Sequence, residues 1–223
     1  MQVLRSQGFR GLAPIVLPAG IDSATFHPRT DARGAGAFTI GYVGRLVPEK
    51  GIDTLVSAVA RLEPPVRLEV AGAGPMEAAL RRQVLREGIA RERVLFLGQL
   101  EAGGVAALLR RIDVLVLPSR TTPVWAEQFG RVLAEAMACG TPVIGSSSGE
   151  IPHVVGDAGL VFPEGDAEAL AARLRELRDS RDLWSRLSRR GLERASLYSA
   201  TRLGEQTAAV YRQLAALPRG PSR

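Results

Sequence analysis

Lysine is almost missing from this sequence: among 29 lysines and arginines, Lys50 is the only lysine. Cysteine is as scarce. With Cys139 alone, no disulfide can close within the chain and no cysteine cluster can hold a metal, a composition suited to a reducing compartment. The two histidines, His27 and His153, and the lack of any Asp-x-Asp pair give no signature of a divalent-metal site, so no metal and no cofactor are expected. His153, in "EIPHVV", reads as a helix-surface residue. Aromatic residues are 5% of the chain, too few for the stacking platforms that bind single-stranded nucleic acid. The net charge of +6 is spread along the chain, and its densest group, Arg173 to Arg194, is interleaved with Asp and Glu on helix-like sequence. Nucleic acid is therefore not the expected partner; phosphorylated small molecules or an anionic membrane surface are the anions such a chain would attract. No run approaches the ~20 apolar residues of a membrane span, and the opening stretch MQVLRSQGFRGLAPIVLP lacks a signal-peptide core. The expected location is cytoplasmic, with peripheral membrane contact left open.

What the sequence does have is alternation. At 223 residues and 46% hydrophobic it can bury a full core as one domain, or as one domain with an appendage. Short apolar runs at Phe38–Val43, Val66–Ala71, Val94–Leu97, Val114–Leu117, Pro142–Ile144 and Leu160–Phe162 read as strands. Helical stretches lie between them, near Ile52–Leu62, Met76–Glu87, Gly104–Arg111, Arg131–Cys139 and Ile151–Val155. Strands apolar on consecutive residues and separated by helices indicate a parallel sheet covered on both faces. The crossover rule then predicts an α/β fold, a doubly wound Rossmann-like parallel sheet of about six strands, with ligands at the carboxyl ends of the strands. C-terminal helices follow at Asp166–Arg178, with Asp166 as N-cap, at Arg181–Glu193 and at Ala200–Leu217; the last carries Leu203, Val210, Tyr211 and Leu214 at helical spacing. The expected organisation is a strand and linker region over 1–36, a Rossmann-like domain over 37–190, and a final helix with a disordered tail over 191–223.

Three loops that follow strands suit anion binding. In "GRLVPEKG" (44–51), Arg45 and Lys50 stand at the carboxyl end of a strand, and Lys50-Gly51 opens the next helix. Two cations beside backbone N–H groups at a helix N-terminus make a diphosphate site, in which a compact ammonium does what a guanidinium cannot. The P-loop pattern G-x-x-x-x-G-K-[ST] is not present. In "AGAGP" (71–75), Glu77 stands where the dinucleotide fingerprint needs its third glycine, so a dinucleotide site is not expected; Pro75 is expected at the first helical position, and the turn shapes the wall of a base pocket. The third loop, "WAEQFGRVLAEAMACGTPVIGSSSGEIP", carries Glu127 ahead of a helix begun by Phe129-Gly130-Arg131, and Glu135 inside it. Gly130 to Glu135 spans ~7.5 Å of helix axis, about the reach from a terminal phosphate to the ribose of one nucleotide. A carboxylate there can accept two hydrogen bonds from a vicinal diol.

In combination, GRL-x-x-EKG, the seven-residue interval between Glu127 and Glu135, "EAMACGTPVIGSSSGEIPHVV" and "DAGLVFPEGD" resemble the donor-binding half of retaining glycosyltransferases of family 4, which have the GT-B fold. The resemblance covers the chain from about "IVLPAGID" to the last helix. It implies that Arg45 and Lys50 hold the diphosphate of a nucleotide-sugar donor, and that Gly44 and Gly72 line the donor site. It further implies that Glu135 binds ribose hydroxyls, that Glu127 binds hydroxyls of the transferred hexose, and that backbone amides from Phe129 through Gly130 and Arg131 to Val132 meet the distal phosphate. Arg45, Lys50 and Glu127 are then the catalytic candidates, with configuration retained and no protein nucleophile. An epimerase of nucleotide sugars fits these motifs less well. Such enzymes pair this half with an N-terminal acceptor-binding domain, so the final helix is expected to pack on a domain or partner subunit outside this chain. The alternative is a nucleotide-sugar-binding module, or a subunit of a split enzyme, without activity alone.

Overall fold

Each of the four residues of Val114–Leu117 is buried, and the whole sheet follows from that pattern. A strand with no polar face needs cover on both sides, which crossover helices supply. The computed structural model describes residues 20–28 and 36–216. It contains six strands, β1 (Phe38–Val43), β2 (Val66–Ala71), β3 (Val94–Gly98), β4 (Val114–Leu117), β5 (Val143–Ser146) and β6 (Gly159–Phe162). All pair in parallel, in the order β3-β2-β1-β4-β5-β6. The helices are α1 (Ile52–Ala60), α2 (Glu77–Arg86), α3 (Ala102–Arg111), α4 (Arg131–Ala138), α5 (Ile151–Val155), α6 (Ala167–Asp179), α7 (Arg181–Ala195) and α8 (Ala200–Ala215).

Side chains alternate across β4, and each face closes its own core. Val114 and Val116 join Ile40, Tyr42 and Leu68 beneath Leu55 of α1, Leu80 of α2 and Leu170 of α6. Leu115 and Leu117 join Leu109 of α3, Leu133 of α4 and Val155 of α5 on the other face. α7 packs along α4, and a Cβ on its Gly191 would stand 3.5 Å from the Met137 Cβ. Asp166 caps α6 by accepting the Ala169 amide at 2.9 Å, as expected.

Several boundaries differ from the sequence reading. β5 continues through Gly145 and Ser146, which look like breakers but pair with Val161 and Phe162. The Ser146 hydroxyl is satisfied inside the sheet by donating to the Ser119 carbonyl at 2.5 Å. Pro75 is not the first residue of a helix, because α2 begins at Glu77. Leu46 of the preceding loop donates to Ala73 and accepts from Met76, both at 3.0 Å, so this stretch is tied to its neighbour before the helix starts. α3 opens two residues early, at Ala102. α7 runs two residues past its expected end, to Ala195.

Residues 20–28 contribute a single bridge from Ile21 to Ser199, at the junction of α7 and α8. Of the expected stripe on α8, Tyr211 and Leu214 stay 69% and 48% exposed, and the helix buries no residue. The expected strand before residue 20, most of the linker "TDARGAGA" (30–37) and the tail beyond 216 lie outside the described residues.

The order reverses beside β1, whose neighbours are β2 on one side and β4 on the other. The loops leaving β1 and β4 therefore face each other across a crevice at the carboxyl edge. Gly51 makes that approach possible: its φ is +62°, and a Cβ there would lie 2.0 Å from the Pro118 carbonyl oxygen. The substitution Gly51→Ala must strain φ and push the loops apart, at a cost of about 2 kcal/mol or more. A lowered urea midpoint with unchanged slope is the expected result.

Candidate functional site

Lys50 ends a short 3-10 turn, Pro48–Lys50, in the loop after β1, and Glu127 lies in the loop after β4. Across the crevice the Lys50 Nζ donates to Glu127 Oε2 at 2.6 Å, and the Ser119 hydroxyl donates to the same oxygen at 3.0 Å. The two charged side chains are only 16% and 11% exposed. The Lys50 ammonium also lies 4.9 Å from the ring centre of Trp125. The surrounding backbone fixes this pair. The Arg120 amide donates to the Glu49 carbonyl at 2.8 Å, and its guanidinium pairs with Asp53 at 2.8 Å and with the Thr54 hydroxyl. The Glu127 carbonyl accepts from the Glu150 amide at 2.9 Å. Gly149 passes so close to it that a Cβ would lie 2.1 Å from that carbonyl oxygen.

Arg45 is far more open, at 68%, with Glu49 3.8 Å away. It lines a cavity of about 480 Å³ together with Gly44, Gly72, Ala73, Leu100 and Val105, at the carboxyl ends of β1 and β2. Beneath this loop the Tyr42 hydroxyl donates to the Arg45 carbonyl at 2.7 Å. Burial, with the Glu127 charge adding to it, raises the Tyr42 pKa far above the phenol range, so the group acts as a neutral strut.

Gly130 is the left-handed N-cap of α4, and no side chain caps that helix. The amides of its first turn thus carry the partial positive charge of a helix start. The Phe129 ring packs edge-on against Tyr198 at 5.2 Å, which fixes the backbone just ahead of the cap. One turn further on, Glu135 Oε1 accepts from Arg131 Nε at 2.9 Å. The Glu135 side chain is 13% exposed although Arg131 is 62% exposed. Burial raises the Glu135 pKa above its ordinary value, and the Arg131 hydrogen bond opposes that rise without cancelling it.

The structure thus brings Lys50 and Glu127 into direct contact, where the sequence suggested separate phosphate and sugar roles. It groups Gly44, Arg45 and Gly72 around the cavity, and gathers Phe129, Gly130, Arg131, Val132 and Glu135 at the start of α4. The sequence reading missed Ser119 and Trp125. Trp125 stood inside the quoted "WAEQFG" stretch two residues before Glu127, which was the available signal; "LPSR" offered none for Ser119. His153 is 81% exposed beside Glu150. Buried Cys139, its pKa pushed up to about 11 chiefly by burial, keeps its proton at neutral pH. Among the described residues no group of three His, Cys, Asp or Glu is placed to hold a metal ion, and no helix is long and apolar enough to cross a membrane.

The family model "Glycosyl transferases group 1" matches residues 26–194. A GDP-mannose-dependent monoacylated alpha-(1-6)-phosphatidylinositol monomannoside mannosyltransferase from Corynebacterium glutamicum is 35% identical over 73% of this chain and 46% of its own length. A glycogen synthase from Mycobacterium tuberculosis is 34% identical over 90% of this chain and 49% of its own. The solved sucrose-phosphate synthase of Thermosynechococcus elongatus superposes with a TM-score of 0.80 at 33% identity, covering 96% of this chain and 56% of that one. The chain spans about half the length of these relatives.

Glu135 generates a prediction of its own. An acid whose folded pKa is raised costs stability above its unfolded value, here 4.5, and costs nothing well below it. Glu135→Gln is therefore expected to melt at a higher temperature than the unchanged protein at pH 7.5. The difference should fade as the pH falls through 4.5. Thermal melts at several pH values check this.

Proposed function

The chain belongs to the group 1 glycosyl transferases, and from that premise we propose that it is the donor-binding domain of an enzyme that transfers a hexosyl group from a nucleotide-diphosphate sugar with retention of configuration. The observation that carries this reading is the Lys50–Glu127 contact at the point where the strand order reverses, beside the uncapped start of α4. Its sheet is the Rossmann-like half of a GT-B fold. In this reading the diphosphate lies against the first amides of α4, between Arg45 and Lys50. The base enters the cavity walled by Gly44 and Gly72, and Glu135 accepts from the ribose hydroxyls.

As the sugar–phosphate bond stretches, negative charge grows on the leaving nucleoside diphosphate. In this reading Arg45, Lys50 and the helix amides meet that growing charge, which is catalysis by electrostatic preorganisation. The reading assigns neutralisation of the diphosphate to these groups and requires no divalent cation. Glu127 Oε2 already accepts from Lys50 and Ser119, so this carboxylate is set to hold hydroxyls of the transferred sugar rather than to attack its anomeric carbon. The acceptor then attacks from the face the phosphate leaves. The relative from Corynebacterium is GDP-mannose-dependent by its name; which base this chain prefers is for binding to decide.

A second reading is favoured by the exposed Tyr211 and Leu214 of α8. These fit a surface that meets an acceptor-binding domain or partner subunit, in whose absence the chain binds donor without turning it over.

Calorimetric titration of the chain with UDP, GDP and ADP should find one that binds. Lys50→Ala should weaken it about tenfold or more, the loss of one charge-assisted contact. Glu127→Gln, which removes the anion competing for Lys50, should bind the nucleoside diphosphate at least as tightly and lose affinity only for the sugar-bearing donor. Absence of binding to a folded chain would refute the proposal.

A further inference from the structure

We propose that Trp125 is a positioning residue for Lys50, holding the ammonium toward the diphosphate when the sugar draws Glu127 away. This rests on the donor-site reading above and adds to it a residue that touches no substrate.

If Lys50 serves the diphosphate and Glu127 the sugar, donor binding must loosen or share the contact now joining them at 2.6 Å. A lysine so released has a flexible four-carbon stem and no reason to keep its direction. Among the described residues, Trp125 offers it a second attraction. The Trp125 ring centre lies 4.9 Å from the ammonium, within the range at which an indole face attracts a cation. The attraction needs neither an acceptor lone pair nor a negative charge, so it does not compete with phosphate oxygens for the ammonium protons.

The backbone that carries the ring is also held in place. Thr122 and Trp125 form an antiparallel bridge, with the Thr122 amide donating to the Trp125 carbonyl at 2.7 Å and the Trp125 amide donating back at 3.3 Å. The turn between them contains Pro123, whose fixed φ limits the motion of the loop. Because Trp125 precedes Glu127 by two residues, one short loop delivers both partners of Lys50 from the same side of the crevice.

The test exploits the scarcity of lysine. Protein labelled with ¹³C-lysine gives one side-chain ε-CH₂ group, that of Lys50. In the full chain its two ε protons should be distinct and displaced upfield by the indole ring. Trp125→Leu should move them toward free-lysine positions, and Trp125→Phe should keep most of the displacement. Undisplaced, equivalent ε protons in the unchanged protein would overturn the proposal, whether or not any nucleotide binds.

Calorimetry with UDP-glucose, GDP-mannose and ADP-glucose, donors whose sugar can engage Glu127, supplies the second arm. Trp125→Leu should weaken the bound donor about fivefold, or about 1 kcal/mol at 1.4 kcal/mol per decade. Trp125→Phe should stay within about twofold. In a Lys50→Ala background, Trp125→Leu should cost nothing further. A fivefold loss that persists without Lys50 would make Trp125 a structural residue or a direct ligand, and would overturn the proposal. A displaced lysine signal with no nucleotide binding would uphold the Trp125–Lys50 contact and sink the donor-site reading instead.

Discussion

An ammonium and a carboxylate withdrawn together from water, joined at 2.6 Å across the seam of a parallel sheet, are the constraint on which the site depends. Bringing two charges into so closed a place carries a desolvation cost that their attraction offsets only when the geometry is fixed. Much of the surrounding chemistry supplies that fixity. Gly51 lets the loop after β1 press against the Pro118 carbonyl, Gly149 does the same for the loop of Glu127, and Arg120 ties the two loops through Asp53. A well-packed apolar pair would hold these loops together with less penalty. Two groups whose charges must act on something else give the ion pair a reason to persist.

Rigidity and openness are divided between the faces of this site. Lys50 and Glu127 are enclosed and cross-braced, whereas Arg45, 68% exposed, stands at the rim of the cavity. The start of α4 is left without a side-chain cap, and its next turn carries Glu135 at a cost in ionising it. An uncapped helix start, a half-buried acid and an enclosed ion pair each work against stability. Together, at the carboxyl ends of β1 and β4, they have the character of a site kept for a ligand rather than for the fold. The fold is secured elsewhere, by two apolar layers that follow the alternation of side chains along β4.

The sheet was legible because its evidence is local: a run such as "VLVL" between helical stretches has few other uses. Element ends were less so. Gly145 and Ser146 look like a strand terminus until Ser119, 27 residues away, accepts the Ser146 hydroxyl. Pro75 looks like a helix start until Leu46 of another loop takes up the flanking backbone. The same division runs through the site. Lys50, Glu127 and Glu135 were visible as charges out of place in their surroundings, and the motifs tied them to a family whose model the chain matches. That Lys50 and Glu127 touch, that Ser119 shares the carboxylate, and that Trp125 faces the ammonium depend on which strands are neighbours. β1 and β4 are adjacent in the sheet but more than 70 residues apart in the chain, so periodicity and spacing carry no trace of these contacts.

If this crevice is a nucleotide-diphosphate site, a crystal of the chain soaked with UDP, GDP or ADP will capture the nucleotide in it. The diphosphate is expected between Arg45, Lys50 and the first amides of α4, the base in the cavity beside Gly72, and the ribose hydroxyls on Glu135. A nucleotide bound elsewhere on the molecule, or one held here without Lys50, would contradict that assignment.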